Sequence, residues 1–157
     1  RPGIIRDIST VILNHQGNWL DSSLSQLAGK FAGIILVSAN NKNIAKLKTD
    51  LLALSSAEFC LSVENTTPKK QQTPERATVS IVGNDRPGII DEIANLLAAN
   101  NVNVIKLDSC AENSPMSAGL LFVAKLEIEL GSSADFAQIQ QRLEALSAEL
   151  MVEINTA

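Results

Sequence analysis

Residues 83–90 read Gly-Asn-Asp-Arg-Pro-Gly-Ile-Ile, and this stretch decides the fold. It follows an alternating apolar run, 77–82, and leads into a helical pattern that ends near Asn100. The alternation is typical of a half-buried strand, and the small, turn-forming residues mark where the chain reverses into a helix. Pro87 is expected in the first helical turn, where its missing N–H costs nothing. Gly88 has no Cβ, so a ligand can approach its backbone closely.

The amides that begin this helix are candidate ligand donors. Gly88, Ile89 and Ile90 precede the point where intrahelical hydrogen bonds start, so their N–H groups are expected to be free. They also lie at the positive end of the helix dipole. Such a place holds a carboxylate or a phosphate without any basic side chain. We therefore predict an anion-binding site at this helix start.

The same pattern opens the chain, where residues 1–5 read Arg-Pro-Gly-Ile-Ile and Gly3 precedes Gly88 by 85 positions. The apolar positions of the helix that follows recur at the same spacing. A fixed spacing of this kind indicates a tandem repeat. The strand equivalent to 78–83 would precede Arg1, so the first repeat is expected to lack its first strand.

The remaining pattern gives each repeat the order strand, helix, strand, strand, helix, strand. Gly17 is predicted to end the first helix with a positive φ, and residues 40–43 are predicted to cap the second. The buried strand 31–38 is matched with 117–124 at a spacing of 86, which places the glycines at 33 and 119 together. The last strand of the first repeat is predicted from the alternation at 59–63.

The predicted fold class is α+β, with two ferredoxin-like βαββαβ domains. Each is expected to form an antiparallel four-stranded sheet with both helices on one face, and with the first and third strands in the middle. The predicted domains are 1–64 and 77–157. The segment 65–76 between them has two prolines and no large apolar residue, so we interpret it as a linker.

Composition excludes several classes of function. A net charge of −4 disfavours contact with nucleic-acid phosphates and with anionic membranes. An RNA-recognition module shares this strand order, but it needs aromatic residues on its central strands, where this chain offers only Phe31 and Phe122. His15 is the sole histidine, so no catalytic constellation is visible, and no metal or cofactor is predicted. Cys60 and Cys110 lack metal-ligand spacing and are interpreted as two buried, unrelated thiols in a reducing cytoplasm.

The Asn-Asp-Arg-Pro-Gly-Ile loop at 84–89, the βαββαβ order and the asparagine that begins the second strand resemble the ACT domain. This is a small regulatory module that senses amino acids. Two such domains with little else resemble the glycine cleavage system transcriptional repressor family. The resemblance implies an effector held between the strand-to-helix loop of one domain and a neighbouring domain.

The resemblance also implies the residues of the site, by similarity to the ACT domain of phosphoglycerate dehydrogenase. There, an asparagine two positions before the proline and another at the start of the second strand hold the effector. Asp85 stands at the first of these positions in this chain, and Asn103 at the second. Gly83 replaces the histidine that opens the loop in that enzyme. The candidate ligand-binding residues are Asn84, Asp85, Gly88, Ile89, Ile90 and Asn103 in the second repeat, and Gly3, Ile4, Ile5 and Asn18 in the first.

The residues themselves leave two alternatives open. Asp85 is either a ligand acceptor or a helix cap that satisfies the same amides. Asn103 and Asn18 are either ligand groups or turn residues that enter strands.

The expected function is that of a non-enzymatic, cytoplasmic regulator that binds a small amino acid, with glycine and serine as candidates. It is expected to be a homodimer and to act on a protein partner such as a transcription factor, without touching nucleic acid or membrane. The alternative is the regulatory fragment of an amino-acid metabolic enzyme whose catalytic part is not in this chain.

Overall fold

The computed structural model describes residues 2–57, 59–66, 75–114, 119–131, 135–146 and 150–156. Contacts divide the chain into two compact units, Arg1–Pro68 and Lys69–Ala157. Most of the predicted linker, 65–76, lies outside the described residues.

The first unit contains two helices and a two-stranded sheet. Its elements are α1 (Ile4–Asn14), β1 (Asn18–Leu27), β2 (Lys30–Ser38) and α2 (Asn41–Ala53). The strands pair antiparallel through a tight turn in which Ala28 and Gly29 both have positive φ. Asn40 caps α2 as predicted, since its side chain accepts from the Lys42 amide at 3.1 Å. The buried core of this unit consists of Ile8, Ile12, Leu47 and Leu51.

The second unit has the predicted βαββαβ order in full. Its elements are β3 (Arg76–Asn84), α3 (Ile89–Ala99), β4 (Val102–Asn113), β5 (Leu120–Leu130), α4 (Phe136–Glu144) and β6 (Met151–Thr156). The sheet order is β4-β5-β3-β6, and every pair is antiparallel. The first and third strands of the unit are therefore central, as the sequence predicts.

The core of the second unit lies between this sheet and its two helices. Alternate residues of β3 are buried, and Ile81 is fully buried at 0% exposure. Ile93 and Leu97 contribute from α3, while Ile139 and Leu143 contribute from α4. The spacing of these helical residues places them on one face of each helix, so the periodicity in the sequence encodes this packing directly.

The predicted last strand of the first unit, 59–63, is wrong, because these residues form no strand. In the second unit, the equivalent strand β6 pairs with β3 alone. Among the described residues of the first unit no strand takes the place of β3, so 59–63 has no ladder partner there. For the same reason β2 pairs on one side only, and it is exposed instead of buried, with Ile34 at 78% exposure.

The strand registers also correct the alignment of the two repeats. Trp19 pairs with Val37, Val104 pairs with Ile128, and an irregularity follows at the same place in β1 and β4. Equivalent residues of β2 and β5 are thus 91 positions apart. The predicted spacing of 86, which matched the glycines at 33 and 119, is wrong. The two spacings differ by five, an odd number. Since successive side chains of a strand point to opposite faces, the predicted alignment placed each residue of β2 on the wrong face.

The residue with positive φ after α1 is Gln16, at 55°, so the prediction for Gly17 is wrong. The helix ends at Asn14, and the Gly17 amide donates to the Ile12 carbonyl at 2.9 Å, which closes a Schellman motif. Gly17 has a different role. A Cβ at this position would lie 3.1 Å from the Ile12 oxygen and 3.3 Å from the Ser38 oxygen, so close packing excludes a side chain.

Both cysteines are unpaired and exposed, so their predicted burial is wrong. Cys110 lies on β4, an outer strand of the sheet. Its thiol donates to the Glu112 carboxylate at 3.2 Å, and this hydrogen bond raises the pKa of Cys110. Cys60 lies in the segment that does not join a sheet.

Candidate functional site: the loop between β3 and α3

Residues 85–88 connect β3 to α3 through a tight turn. Gly88 has φ 88° and ψ −3°, which suits the third position of a type II turn with Pro87 before it. The Ile89 amide donates to the Arg86 carbonyl at 3.4 Å and closes this turn. The helix begins at Ile89, so Pro87 precedes the helix and its predicted place in the first helical turn is wrong.

The predicted trio of amide donors is reduced to two. The Ile89 amide is engaged in the turn, whereas no acceptor in the described part of the chain lies within hydrogen-bond distance of the Gly88 and Ile90 amides. No atom lies within 4 Å of the position that a Cβ on Gly88 would occupy. The start of α3 is therefore open to an approaching group.

Asp85 does not cap the helix. The residue that precedes α3 is Gly88, and among the described residues no hydrogen bond joins the Asp85 side chain to the first amides of the helix, so the interpretation of Asp85 as a cap is wrong. The Asp85 amide donates to the Leu120 carbonyl at 2.9 Å, and this hydrogen bond fixes the start of the loop to β5. Asp85 is exposed.

Arg86 and Glu92 form a bidentate ion pair across the loop. The guanidinium donates to both carboxylate oxygens, at 2.6 and 2.5 Å. These hydrogen bonds hold the pKa of Glu92 below its ordinary value. The pair fixes the loop to the first turn of α3, and it neutralises the positive charge of Arg86.

The charges around the open amides favour a zwitterion over a simple anion. Two amides at a helix N-terminus attract a carboxylate. Asp85 and Asp91 are exposed on the loop and on the first turn of the helix, and the Asp91 carboxylate accepts from the Asn95 side-chain amide at 3.1 Å. Both residues add negative charge to this end of the helix, which favours an ammonium group and disfavours a second negative charge. A phosphate or a dicarboxylate would meet that repulsion, whereas an α-amino acid carries the complementary pair of charges.

Asn103 is not brought to the loop within one unit. It pairs with Glu129 on β5, whereas Asn84, at the end of β3, pairs with Leu121. The two β5 residues are eight positions apart, which corresponds to roughly 26 Å along a strand. Asn103 is exposed, and its side-chain nitrogen lies 3.5 Å from the Glu129 carboxylate. A small ligand cannot touch both Asn103 and the loop of the same unit.

Gly3 of the first unit has the same backbone conformation as Gly88 but a different neighbour. Gly3 has φ 93° and ψ −3°, and its carbonyl accepts from the Asp7 amide at 2.9 Å. The Arg6 guanidinium, held by the Asp7 carboxylate at 2.9 Å, reaches to 3.3 Å from the position of a Cβ on Gly3. The space that is open over Gly88 is therefore occupied over Gly3.

The other candidates of the first unit are also separated. Ile4 and Ile5 are the first two residues of α1, and Asn18 is the first residue of β1. The 11 residues of α1 lie between them, a length of roughly 16 Å. Asn18 therefore does not share a small ligand with the Gly3 loop.

An apolar groove of about 170 Å³ runs beside the second loop, between α3 and β4. Its walls are Ile90, Ala94 and Leu97 of the helix, and Val104 and Leu107 of the strand. Ile90 thus has its amide at the candidate site and its side chain at the mouth of the groove. The sequence did not predict this groove, because it depends on how far the helix lies from an outer strand.

Sequence reasoning also missed the ion pair and the role of Asp91. The signal was present, since Asp91 and Glu92 place two acids in the first turn of a helix, where acids are usual. Only the structure distinguishes them, because Glu92 pairs with Arg86, whereas the exposed Asp91 accepts from the Asn95 side-chain amide at 3.1 Å.

The chain matches models of the ACT domain over residues 1–64 and over residues 77–148. It therefore belongs to the ACT-domain family and carries two such domains in tandem. The glycine cleavage system transcriptional repressor of Escherichia coli is 27% identical to it over 153 residues, which is 96% of this chain and 80% of that protein. The UPF0237 protein MMP0657 of Methanococcus maripaludis is 30% identical over 82 residues, 52% of this chain and 84% of that one.

Two solved structures share the whole fold. A protein of unknown function from Galdieria sulphuraria has a TM-score of 0.76 and 20% identity, covering 100% of this chain and 92% of that one. A protein proposed to be a glycine cleavage system transcriptional repressor has a TM-score of 0.67 and 20% identity, covering 100% and 91%. These similarities confirm the predicted tandem ACT architecture.

Two further observations concern only the residues that the structure describes. None of their helices has the length and apolar character needed to cross a bilayer. They also contain no group of three or more acidic, histidine or cysteine side chains arranged to hold a metal ion.

Proposed function

We propose that this protein is a non-enzymatic regulator that binds a small amino acid at the loop between β3 and α3. The observation that carries the proposal is the open helix start at Gly88, where two amides have no acceptor among the described residues and the loop and first helical turn carry the exposed Asp85 and Asp91. In the bound state, the effector carboxylate accepts from the Gly88 and Ile90 amides, and its ammonium group contacts Asp85. Glycine and serine are the first candidates, because the similar repressor is named for the glycine cleavage system.

The regulatory output is proposed to pass through protein contacts. The 27% identity to a transcriptional repressor supports a role in transcriptional control. A net charge of −4 opposes direct contact with DNA, so the partner would be a DNA-binding protein. This role would place the protein in the cytoplasm, where it would act as a homodimer.

The remaining residue of the proposed site is Asn103. Because it lies roughly 26 Å from the loop of its own unit, it serves the ligand only if it comes from a neighbouring domain. In that arrangement its side-chain oxygen accepts from the effector ammonium group.

A thermal-shift screen with the twenty amino acids tests the function, followed by calorimetry with the best one. Saturating effector raises the melting temperature, because it binds only the folded domain. The absence of a shift with every amino acid would refute sensing.

Asn103→Ala tests the site. It should weaken binding by about 1–3 kcal/mol, because a buried ligand group loses its partner. Asn155→Ala is the matched control, because Asn155 is an exposed asparagine on the other outer strand of the same sheet. If Asn103→Ala and Asn155→Ala bind the effector with equal affinity, Asn103 is not part of the site, and the proposed site is limited to the loop.

A further inference from the structure

The second sheet has one face that its two helices leave uncovered. The buried side chains of the sheet, such as Ile81 and Val152, lie on the face that packs against α3 and α4. Successive side chains of a strand point to opposite faces, so the neighbouring Val82 and Met151 lie on the other face. No side chain on that other face is buried in the described part of the chain. We call it the open face of the sheet.

A row of apolar side chains crosses the open face. It contains one residue from each strand, and these residues are successive pairing partners: Met151 of β6, Val82 of β3, Val123 of β5 and Cys110 of β4. Met151 is 69% exposed, Cys110 is exposed, and the two valines are half-buried. Three strand spacings give this apolar row a length of roughly 14 Å. Leu121, two residues before Val123 on β5, widens it.

The apolar row is a local departure from the usual character of such a face. When one face of an antiparallel sheet packs on the core, the other face normally carries polar side chains. The adjacent row follows this rule, since it consists of Glu153, Ser80, Lys125 and Asp108 as successive pairing partners. A contiguous exposed apolar patch with a polar rim marks an interaction surface.

The rim of the apolar row is mainly acidic. Glu153 and Asp108 border it on one side and Glu112 on the other, whereas Lys125 is the one basic residue beside it. Asp108 pairs with Lys106 at 2.8 Å, but neither Glu153 nor Glu112 has an ion-pair partner among the described residues. Two copies that met through this face would bring their acidic rims together. A partner with basic side chains around an apolar centre is complementary instead.

We propose that the open face binds a basic amphipathic helix of the protein partner, with the apolar side chains of that helix on the apolar row. A helix of about nine residues has the length of the row, and it places apolar anchors at i, i+3 or i+4, and i+7 on one face. The inference rests on the proposed function only for the existence of a protein partner. Val82 precedes Asp85 by three residues, so the partner would bind at the end of β3 from which the effector loop emerges.

Three labelled peptides test the chemistry of the partner. The first is a stapled helix of about three turns with leucine on one face and lysine on the other. Glutamate replaces lysine in the second peptide, and serine replaces leucine in the third. In fluorescence anisotropy titrations of the full chain without any amino acid, the first peptide should bind at least about tenfold more tightly than the other two, because only it matches both the apolar row and the acidic rim.

Substitutions at exposed positions place the binding surface. Met151→Lys should weaken binding of the first peptide about tenfold, because it removes apolar area and repels lysine. Leu13→Lys is the matched control, since Leu13 is 73% exposed and lies on α1 of the other unit. Glu153→Gln should weaken binding about two- to fivefold, as expected for the loss of exposed ion pairs. Its control is Glu144→Gln, the same change at an exposed position of α4, on the helix side of the sheet.

The proposal is wrong if the lysine and glutamate peptides bind equally well. It is also wrong if Met151→Lys weakens binding no more than Leu13→Lys does, while circular dichroism shows an intact fold. Dissociation of a wild-type dimer by Met151→Lys in sedimentation equilibrium would likewise overturn it, because a second copy would then cover the open face. None of these results bears on amino-acid binding, which the thermal-shift screen measures separately.

Discussion

The left-handed conformation of Gly88 gives a prediction whose size follows from the structure. Gly88 is held at φ 88°, and an added Cβ would meet no atom within 4 Å. Gly88→Ala therefore causes no collision, and its cost is backbone strain, about 1–2 kcal/mol. For a domain of this size, each kcal/mol lowers the melting temperature by roughly 4–8 °C. Gly88→Asn should cost less, because asparagine visits this conformation more readily.

Gly119→Ala is the matched control for this measurement. A Cβ there would also meet no atom within 4 Å, but the φ of Gly119 is not positive. Gly119→Ala should not destabilise the domain, because a compatible alanine lowers the entropy of the unfolded chain. Calorimetry of the second domain and urea unfolding give the free energy of unfolding of each variant, provided that its dependence on urea concentration does not change. Equal stabilities of the Gly88 and Gly119 variants would show that α3 does not begin on a left-handed residue.

Two further changes test the core and the loop. Leu143 is fully buried, so Leu143→Ala should lower the free energy of unfolding by about 2–5 kcal/mol in urea titrations, and a loss below about 1 kcal/mol would contradict the core described above. Arg86→Ala removes the partner that depresses the pKa of Glu92. The Arg86–Glu92 pair stabilises the fold at a pH above 4.5, the ordinary pKa of a glutamate, and this stabilisation is lost as the pH falls below that value. The difference in the free energy of unfolding between wild type and Arg86→Ala should therefore shrink as the pH is lowered. A difference that grows on acidification would contradict this prediction.

The second domain could be predicted from the sequence because its signals are local and agree with one another. The alternation along 77–82 and the spacing of Ile93 and Leu97 each encode one face of one element. The four-stranded order follows once those faces share a core. The first domain could not be predicted to the same extent. Residues 31–38 are as apolar as a buried strand, but burial depends on neighbouring strands, which no residue in that run encodes.

The candidate site shows the same boundary between local and distant information. The turn at Pro87 and Gly88 is encoded within four residues, and the structure contains it. The helix begins only after this turn, at Ile89, so Pro87 is not in the first helical turn. The resemblance to the ACT domain suggested that the loop at Gly88 and Asn103 belong to one site at a domain interface. Between them the chain descends α3 and enters β4 at the far end of the sheet. The spacing of 85 correctly matched the loops and the strands β1 and β4 of the two repeats, but it carried no information about distance within one repeat.

The two loops have the same backbone, and one side chain separates their chemistry. At the spacing of 85, Arg6 of the first repeat corresponds to Asp91 of the second. The guanidinium of Arg6, paired with the Asp7 carboxylate, reaches into the space over Gly3. Asp91 leaves the space over Gly88 empty and adds the negative charge that an ammonium group requires. The space over the glycine is therefore occupied in the first repeat and open in the second, which is why we propose amino-acid binding at the second repeat.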